Sequence, residues 1–387
     1  MTTISAGPSH DTGIEWTHHP GFKGVTWNPL VAIDKETGDR GWFCTHVSTG
    51  CANCYAEKLN VEGMGGRFGT GHEYKYQNLG QIRFEERGID KPIRWQKPRC
   101  AFVNSMTDLF HEKVPEEIID RTFAAMALAP SHRFLILTKR PSVMNRYLSA
   151  KETAPRVAGE IPGLIEEEHQ IDEEWAETRA HKIGRHETPW PPENVWIGVS
   201  AEDQDTANDR IPTLLSCPGS VRFVSVEPII APVDLTEVET TDVATGQMRR
   251  FNVLSRRKED GLYFPHAAET RAMDWVIAGG ESGPNARPPH PRWLRSLRNQ
   301  CLDEDVPFFF KQYGAWKPIQ CLLDPLRAEA RETETQRVKT AASGSPGAPQ
   351  VMATMYRVGK DSGLDELGGK TYREIPDPGR PEPAARP

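Results

Sequence analysis

The chain has 387 residues, 37% of them hydrophobic and 26% charged, with 32 glycines and 32 prolines. That is too much apolar material for a disordered chain and too many turn formers for an all-helical one, so one sizeable globular domain with insertions, or two small ones, fits. Lys and Arg number 47 against 54 Asp and Glu, a formal net charge of −7, which argues against a global electrostatic grip on nucleic acid but leaves room for a local basic cleft. No run approaches the ~18 to 20 apolar residues of a membrane span, and residues 1–11 lack the apolar stretch of a signal peptide. A cytoplasmic protein with no membrane partner is expected.

In chain order, short apolar runs bounded by turn residues predict strands at 25–28, 101–104, 134–138, 195–199, 223–226, 275–278 and 307–310. Helical spacing of apolar residues predicts helices at 115–128, 207–215 and 293–302, and a further helix starting near Cys54. Near-continuous apolar strands alternating with amphipathic helices mean a parallel sheet buried on both faces. The fold class expected is α/β, a partial or complete parallel β/α barrel with insertions. The barrel core is placed at 13–325, with insertions at about 151–193 (an acidic helical excursion on the surface) and 235–271 (a basic hairpin or lid). A C-terminal extension, 326–376, is expected to pack on the core, with a disordered tail at 377–387.

Polar residues follow each apolar run. They are Asn104, Ser105 and Asp108; Lys139 and Arg140; Ser200 and Glu202; Glu227; Gly279, Gly280, Glu281 and Ser282; and Lys311 and Gln312. In a barrel the C-terminal strand ends converge on one mouth, where sites of this architecture are built.

Of the seven cysteines, Cys100, Cys217, Cys301 and Cys321 are scattered singly, whereas Cys44, Cys51 and Cys54 fall within eleven residues. Two thiols three residues apart can ligate one metal centre from a single turn, and the gap back to Cys44 leaves enough chain to close a loop around it. A structural zinc would recruit a fourth ligand, for which His46 or a distant histidine is available. A [4Fe-4S] cluster held by three cysteines keeps one iron open. Trp16, Trp27, Trp42 and Tyr55 crowd the same region, either to shield such a centre or as ordinary core. His111 either titrates near neutrality or caps the following helix.

A three-cysteine loop after the first strand of a β/α barrel resembles the radical S-adenosylmethionine (SAM) superfamily. More closely, the stretches 14–17, 26–29, 44–56, 103–111, 135–141, 194–200, 223–228, 275–284 and 308–312 resemble an uncharacterised family of phage and prophage proteins with this three-cysteine motif. The spacing here is six residues then two, where the superfamily usually has three then two. Gly279-Gly280-Glu281 follows the sixth strand, whereas the superfamily's Gly-Gly-Glu follows the second.

The resemblance implies a [4Fe-4S] cluster on Cys44, Cys51 and Cys54, SAM cleaved to a 5′-deoxyadenosyl radical, an electron-donor protein, and a nucleic acid base or nucleotide as substrate. On that footing Tyr55, Asn104, Ser105, Asp108, Ser200, Glu202, Gly279, Gly280 and Glu281 are the cofactor-binding candidates. Lys139, Glu227 and Lys311 are the candidates for catalytic contact with substrate, and Lys139 with Arg140 would also suit a carboxylate or phosphate. Two other readings stay open. One is a zinc-stabilised, non-redox nucleic-acid-binding or processing protein that uses the basic side chains of 235–271. The other is a virion or host-interaction module with structural cysteines.

Overall fold

The computed structural model describes residues 12–63, 68–85, 88–167, 171–241, 246–257, 272–318, 335–339, 352–357 and 365–377. Seven parallel strands carry it: β1 (Lys23–Trp27), β2 (Arg99–Val103), β3 (Arg133–Thr138), β4 (Val195–Ser200), β5 (Arg222–Val226), β6 (Trp275–Ala278) and β7 (Phe308–Phe310). They coincide with the seven predicted runs to within two residues at each end. Each strand pairs with the next in chain order, and the sheet curls into a half-barrel with β1 and β7 at its edges.

Alternation along each strand sorts its side chains between two cores. Val103, Ile136, Ile197, Val224, Val276 and Phe308 face outward into a large cluster shared with the helices. Those helices include α2 (Glu116–Ala127), α3 (Pro141–Ser149), α4 (Thr153–Glu167), α5 (Glu173–Gly184), α6 (Gln204–Ser216) and α7 (Pro291–Asp303). The shorter α1 (Tyr55–Glu62) follows the cysteine loop. The inward set is Phe102, Leu135, Trp196, Phe223, Trp275, Ile277 and Phe309, and the N-terminal segment inserts Trp16 among them. Its ring centroid lies 4.8 Å from Phe102 and 6.1 Å from Phe223. Trp16 is therefore core, as is Trp27, whose indole N–H donates to the Gly88 carbonyl at 2.8 Å.

The lower end of this hollow holds a buried histidine. Arg133 donates to His19 Nδ1, so the ring proton sits on Nε2, which donates to the Trp16 carbonyl at 3.1 Å. The Arg133 guanidinium lies 4.1 Å from the Trp196 ring centroid. Burial, reinforced by the Arg133 charge, pulls His19 down to about 3. A group depressed in the folded state stabilises above its unfolded pKa and ceases to do so as pH falls toward the folded value. Lowering pH from 7 to 5 is therefore expected to remove about 2 kcal/mol of unfolding free energy at this site. Urea unfolding of the wild-type protein and His19→Gln at both pH values checks this. An equal pH dependence in the two proteins would contradict it.

The insertions resolve into ordinary structure. α4 buries Ala154, Val157, Ile161 and Leu164 against the outer layer, while Glu173, Glu174 and Glu177 of α5 stay exposed. The described residues of 151–193 are thus part of the helical coat, with an acidic outer face on α5. Between β5 and β6 the strands Val238–Thr241 and Met248–Phe251 form an antiparallel pair. Residues 242–245 and 258–271 of that basic insertion lie outside the described residues, as do Cys321 and the Ala/Ser/Gly/Pro-rich segment 341–349. Two further sheets were not anticipated. One joins Arg40–Gly41, Leu30–Asp34 and Leu79–Phe84, and the other joins Trp316–Pro318, Met352–Arg357 and Thr335–Lys339.

The C-terminal segment also runs beside β7, where Phe310 N–H donates to the Tyr372 carbonyl at 2.9 Å and Glu374 N–H to that of Phe308 at 3.2 Å. That pairing covers an otherwise open sheet edge. The expected tail beyond Asp377 is outside the described residues. Among the described residues no helix is long and apolar enough to cross a membrane.

Candidate functional site

Extending the inward parity past each strand end brings polar residues to one mouth. Phe102 leads to Asn104, Leu137 to Lys139, Trp196 and Gly198 to Ser200 and Glu202, Phe223 and Ser225 to Glu227, Ile277 to Gly279 and Glu281, and Phe309 to Lys311. The alternation that fills the hollow with aromatics also lines its rim with charge.

The cysteine loop lies across this rim. Cys44 follows the strand Arg40–Gly41, Cys51 ends a one-turn helix, Thr49–Cys51, and Cys54 caps α1. Four strand ends hold the loop. From the end of β3, Arg140 donates to the Thr45 carbonyl at 3.2 Å and to Thr45 Oγ1 at 2.7 Å. From the end of β4, Glu202 accepts from Ser48 Oγ at 3.1 Å. After β6, Arg287 donates to the Thr49 carbonyl at 3.1 Å, and the Asn285 carbonyl accepts from Asn53 at 3.0 Å. After β2, the Ser105 carbonyl accepts from Tyr55 Oη at 2.6 Å, leaving the Tyr55 residue 53% exposed.

Each anchor is itself paired. Glu202 is wholly buried, bonded to Lys139 and, at 3.2 Å, to Arg210. Burial would push its carboxyl up, but the charges of Lys139 and Arg210 prevail and hold it below the usual range. Arg287 meets Glu281 at 2.6 Å, Lys311 meets Glu227 at 2.7 Å, and Arg140 meets Asp108 at 3.0 Å and Glu112 at 3.1 Å. Lys139 and Arg140, read from sequence as suited to a carboxylate or a phosphate, are thus engaged by the protein's own carboxylates. Asp108 serves as a hub, accepting also from Thr138 Oγ1 at 2.7 Å and from the Lys139 N–H at 3.1 Å.

The sulfurs occupy different surroundings. Cys44 and Cys54 border a small apolar cluster of Trp42, Ala56, Tyr74 and Met106. Burial lifts the Cys44 thiol to about 12, and it lifts Cys54 against the pull of the Ala56 and Glu57 N–H groups at the start of α1. Cys51 moves the other way: burial opposes its thiolate, but the Lys139 charge and the N–H groups of Val47 and Ser48 outweigh it. Ser48 Oγ lies 3.9 Å from Cys51 Sγ, and Arg140 Nη1 lies 3.8 Å from Cys44 Sγ. His46, the sequence candidate for a fourth ligand, is paired with Glu57 at 2.9 Å. Among the described residues no three His, Cys, Asp or Glu side chains converge tightly enough to hold a single metal ion.

The other predicted site residues divide. Asn104 is buried at a positive φ of 53°, with neither Nδ2 nor Oδ1 hydrogen-bonded. Ser105 bonds reciprocally with Asn28, at 3.2 and 3.3 Å. The Ser200 carbonyl accepts from Arg210 at 2.9 Å. Gly279 lies against Glu227, where a Cβ would stand 3.3 Å from its carboxyl carbon. Gly280 is required by the backbone itself, because a Cβ there would stand 2.0 Å from the Tyr313 carbonyl oxygen. That close approach accounts for Gly280 without a ligand. His111 has a fully buried side chain, bonds Thr45 Oγ1 at 2.9 Å, and is lowered to about 4 chiefly by burial, so it is not poised near neutrality. Arg210 and Arg287, neither anticipated as site residues, secure Glu202 and Glu281.

Gly50 supplies a test of the loop's fit. A Cβ there would stand 2.4 Å from Glu202 Cγ, and that side chain is locked by Lys139 and Arg210. Gly50→Ala is expected to cost about 1–3 kcal/mol, read as a lowered thermal midpoint. An unchanged midpoint would mean that the loop is not seated on Glu202.

No curated protein and no solved structure matches the chain. The profile of the family described as "Protein of unknown function (DUF5131)" matches residues 11–376, nearly the whole length, and the chain belongs to that family.

Proposed function

We propose that the chain is a radical SAM enzyme whose [4Fe-4S] cluster is held by Cys44, Cys51 and Cys54 and whose substrate is a nucleic acid base or nucleotide. The observation that carries the reading is the position of the cysteine loop, seated across the rim of a half-barrel with all three thiols on it. The donor set fits: soft thiolates suit iron–sulfur clusters, and a cubane, being larger than an ion, asks its ligands to stand farther apart than a zinc site does. His46, the nearest sequence candidate for a fourth ligand, is committed to Glu57. The unpaired amide of Asn104 is an orphaned polar group at the same rim, and a bound cofactor is a natural partner for it.

When bound, the cluster and SAM together supply a 5′-deoxyadenosyl radical for hydrogen abstraction. The protein's own residues orient and protect. Arg140 and Lys139 offset the charge of thiolates at Cys44 and Cys51. Asn104 and Ser105 offer donors and acceptors beside the exposed ring of Tyr55, a surface on which a purine can stack. The aromatic floor of Phe102, Trp196, Phe223 and Trp275 excludes water beneath the reacting atoms. Glu227 and Lys311, paired at 2.7 Å, present an acceptor and a donor to a neutral base, a better match for their joint charge than a free phosphate. An electron-donor protein completes the scheme by reducing the cluster.

Anaerobic reconstitution with iron and sulfide, followed by metal and sulfide counts and an assay for 5′-deoxyadenosine from SAM, tests the reading. About four irons per chain and nucleoside release are expected. A colourless protein with one tightly held zinc and no nucleoside product would reject it. Failure of the active enzyme to alter any DNA, RNA or nucleotide would remove the substrate assignment while leaving the chemistry.

A further inference from the structure

We propose that Arg140 sets the reduction potential of the cluster through a charge-assisted hydrogen bond to Cys44 Sγ. The inference rests on the cluster reading above and concerns what this chain's own side chain does to the group. Arg140 Nη1 stands 3.8 Å from Cys44 Sγ, within hydrogen-bonding reach of sulfur. The guanidinium cannot turn away. Its Nε donates to Glu112 at 3.1 Å, Nη1 also to Asp108 at 3.0 Å, and Nη2 to both oxygens of Thr45, with the side chain only 4% exposed. Nor can it lose its charge, because arginine stays protonated in proteins.

A positive donor on a ligand sulfur stabilises the more negative, reduced state of an iron–sulfur centre, and hydrogen bonds and net charge around the sulfurs are the protein's means of tuning it. The surroundings sharpen the effect. Asp108 shares Arg140 Nη1 with Cys44 Sγ, which brings a buried carboxylate close to the same sulfur, and Arg140 is the charge that offsets it. Without it, Cys44 would face the uncompensated carboxylate of Asp108, whose side chain is only 8% exposed. Asp108 acts in the opposite sense and serves as an internal control. Arg140 is a positioning residue here: it holds Thr45 and with it the loop, but its effect on the potential is separate from that mechanical role.

The experiment is a potentiometric titration of the reconstituted protein, followed by electron paramagnetic resonance, on wild type, Arg140→Lys, Arg140→Gln and Asp108→Asn, with iron counted in each. The expected order of potentials is Asp108→Asn above wild type, wild type above Arg140→Lys, and Arg140→Gln lowest. A purely structural role would change iron content or stability and leave the potential of the loaded fraction where it was. An unchanged or raised potential in cluster-loaded Arg140→Gln overturns the proposal. Should that variant fail to load, Arg140→Lys and Asp108→Asn decide, and identical potentials in both and the wild type overturn it. A wild-type protein that takes up no cluster is a different result, since it defeats the functional reading itself.

Discussion

Replacement of Glu202 by alanine is expected to destabilise the cluster-free protein by about 3–5 kcal/mol, the range for removing one partner of a buried ion pair. Glu202 is wholly buried, and Arg210, 3% exposed, keeps only the Ser200 carbonyl among its bonds once the carboxylate is gone. Lys139 and Ser48 lose the same acceptor, so one substitution strands a buried guanidinium and frees the middle of the cysteine loop. Glu202→Gln keeps the shape and one acceptor oxygen and is expected to lose less. The sign with pH follows from the depressed carboxyl. Its stabilisation is complete above the ordinary carboxylate range and disappears as pH falls through the lower folded value, so the alanine penalty should shrink in strong acid. Denaturant midpoints of the three proteins across pH provide the measurement. A penalty below about 1 kcal/mol near neutrality, typical of a solvated surface pair, would show that this network does not hold the loop.

How much of this was legible in the sequence depends on the range of the interaction involved. The seven barrel strands were, because a strand buried on both faces must be apolar throughout, and Phe134 to Leu137 or Val195 to Val199 have little other use. The rim was legible for the same reason: polar residues directly after such runs must lie at strand ends. The strands Leu30–Asp34 and Leu79–Phe84 are no shorter than β6 or β7 but carry a weaker signal. The first abuts β1 across Asn28-Pro29, and the second shows only one buried residue, Ile82, among six.

α3 carries a legible signal, with Pro141 at its first turn and Met144, Tyr147 and Leu148 at helical spacing. Arg210 was detectable too, as a charge among Ala207, Ile211 and Leu214 on the buried face of α6. The pairings were beyond reach. Lys139 finds Glu202 across 63 residues, Arg140 finds Thr45 across 95, and Arg287 finds Thr49 across 238. Local pattern says that a charge is present at a strand end, but only the folded sheet says what neutralises it. That is why Lys139 and Arg140 read from sequence as partners for some carboxylate or phosphate, and only the fold shows that Glu202, Asp108 and Glu112 are those partners.

The cysteines permit the sharpest separation of scaffold from chemistry. Cys44→Ala, Cys51→Ala and Cys54→Ala are each expected to cut iron uptake on anaerobic reconstitution by more than half, because a cubane left with two thiolates loses a third of its protein ligands. The cluster-free proteins should nonetheless remain folded. The loop is tied down by Thr45, Ser48, Thr49 and Asn53, none of which is a proposed cluster ligand. Alanine is preferred to serine at Cys44 and Cys54, since a hydroxyl there would enter the apolar cluster around Trp42 and Tyr74. Iron counts, the visible absorption of the reconstituted protein and thermal midpoints of the cluster-free protein form the measurement. Undiminished iron in all three variants would move the metal elsewhere. Collapse of the cluster-free fold in all three would instead make the thiols part of the scaffold. Only loss of iron with retention of fold matches a loop whose shape is set by its charged anchors and whose sulfurs are left for a ligand.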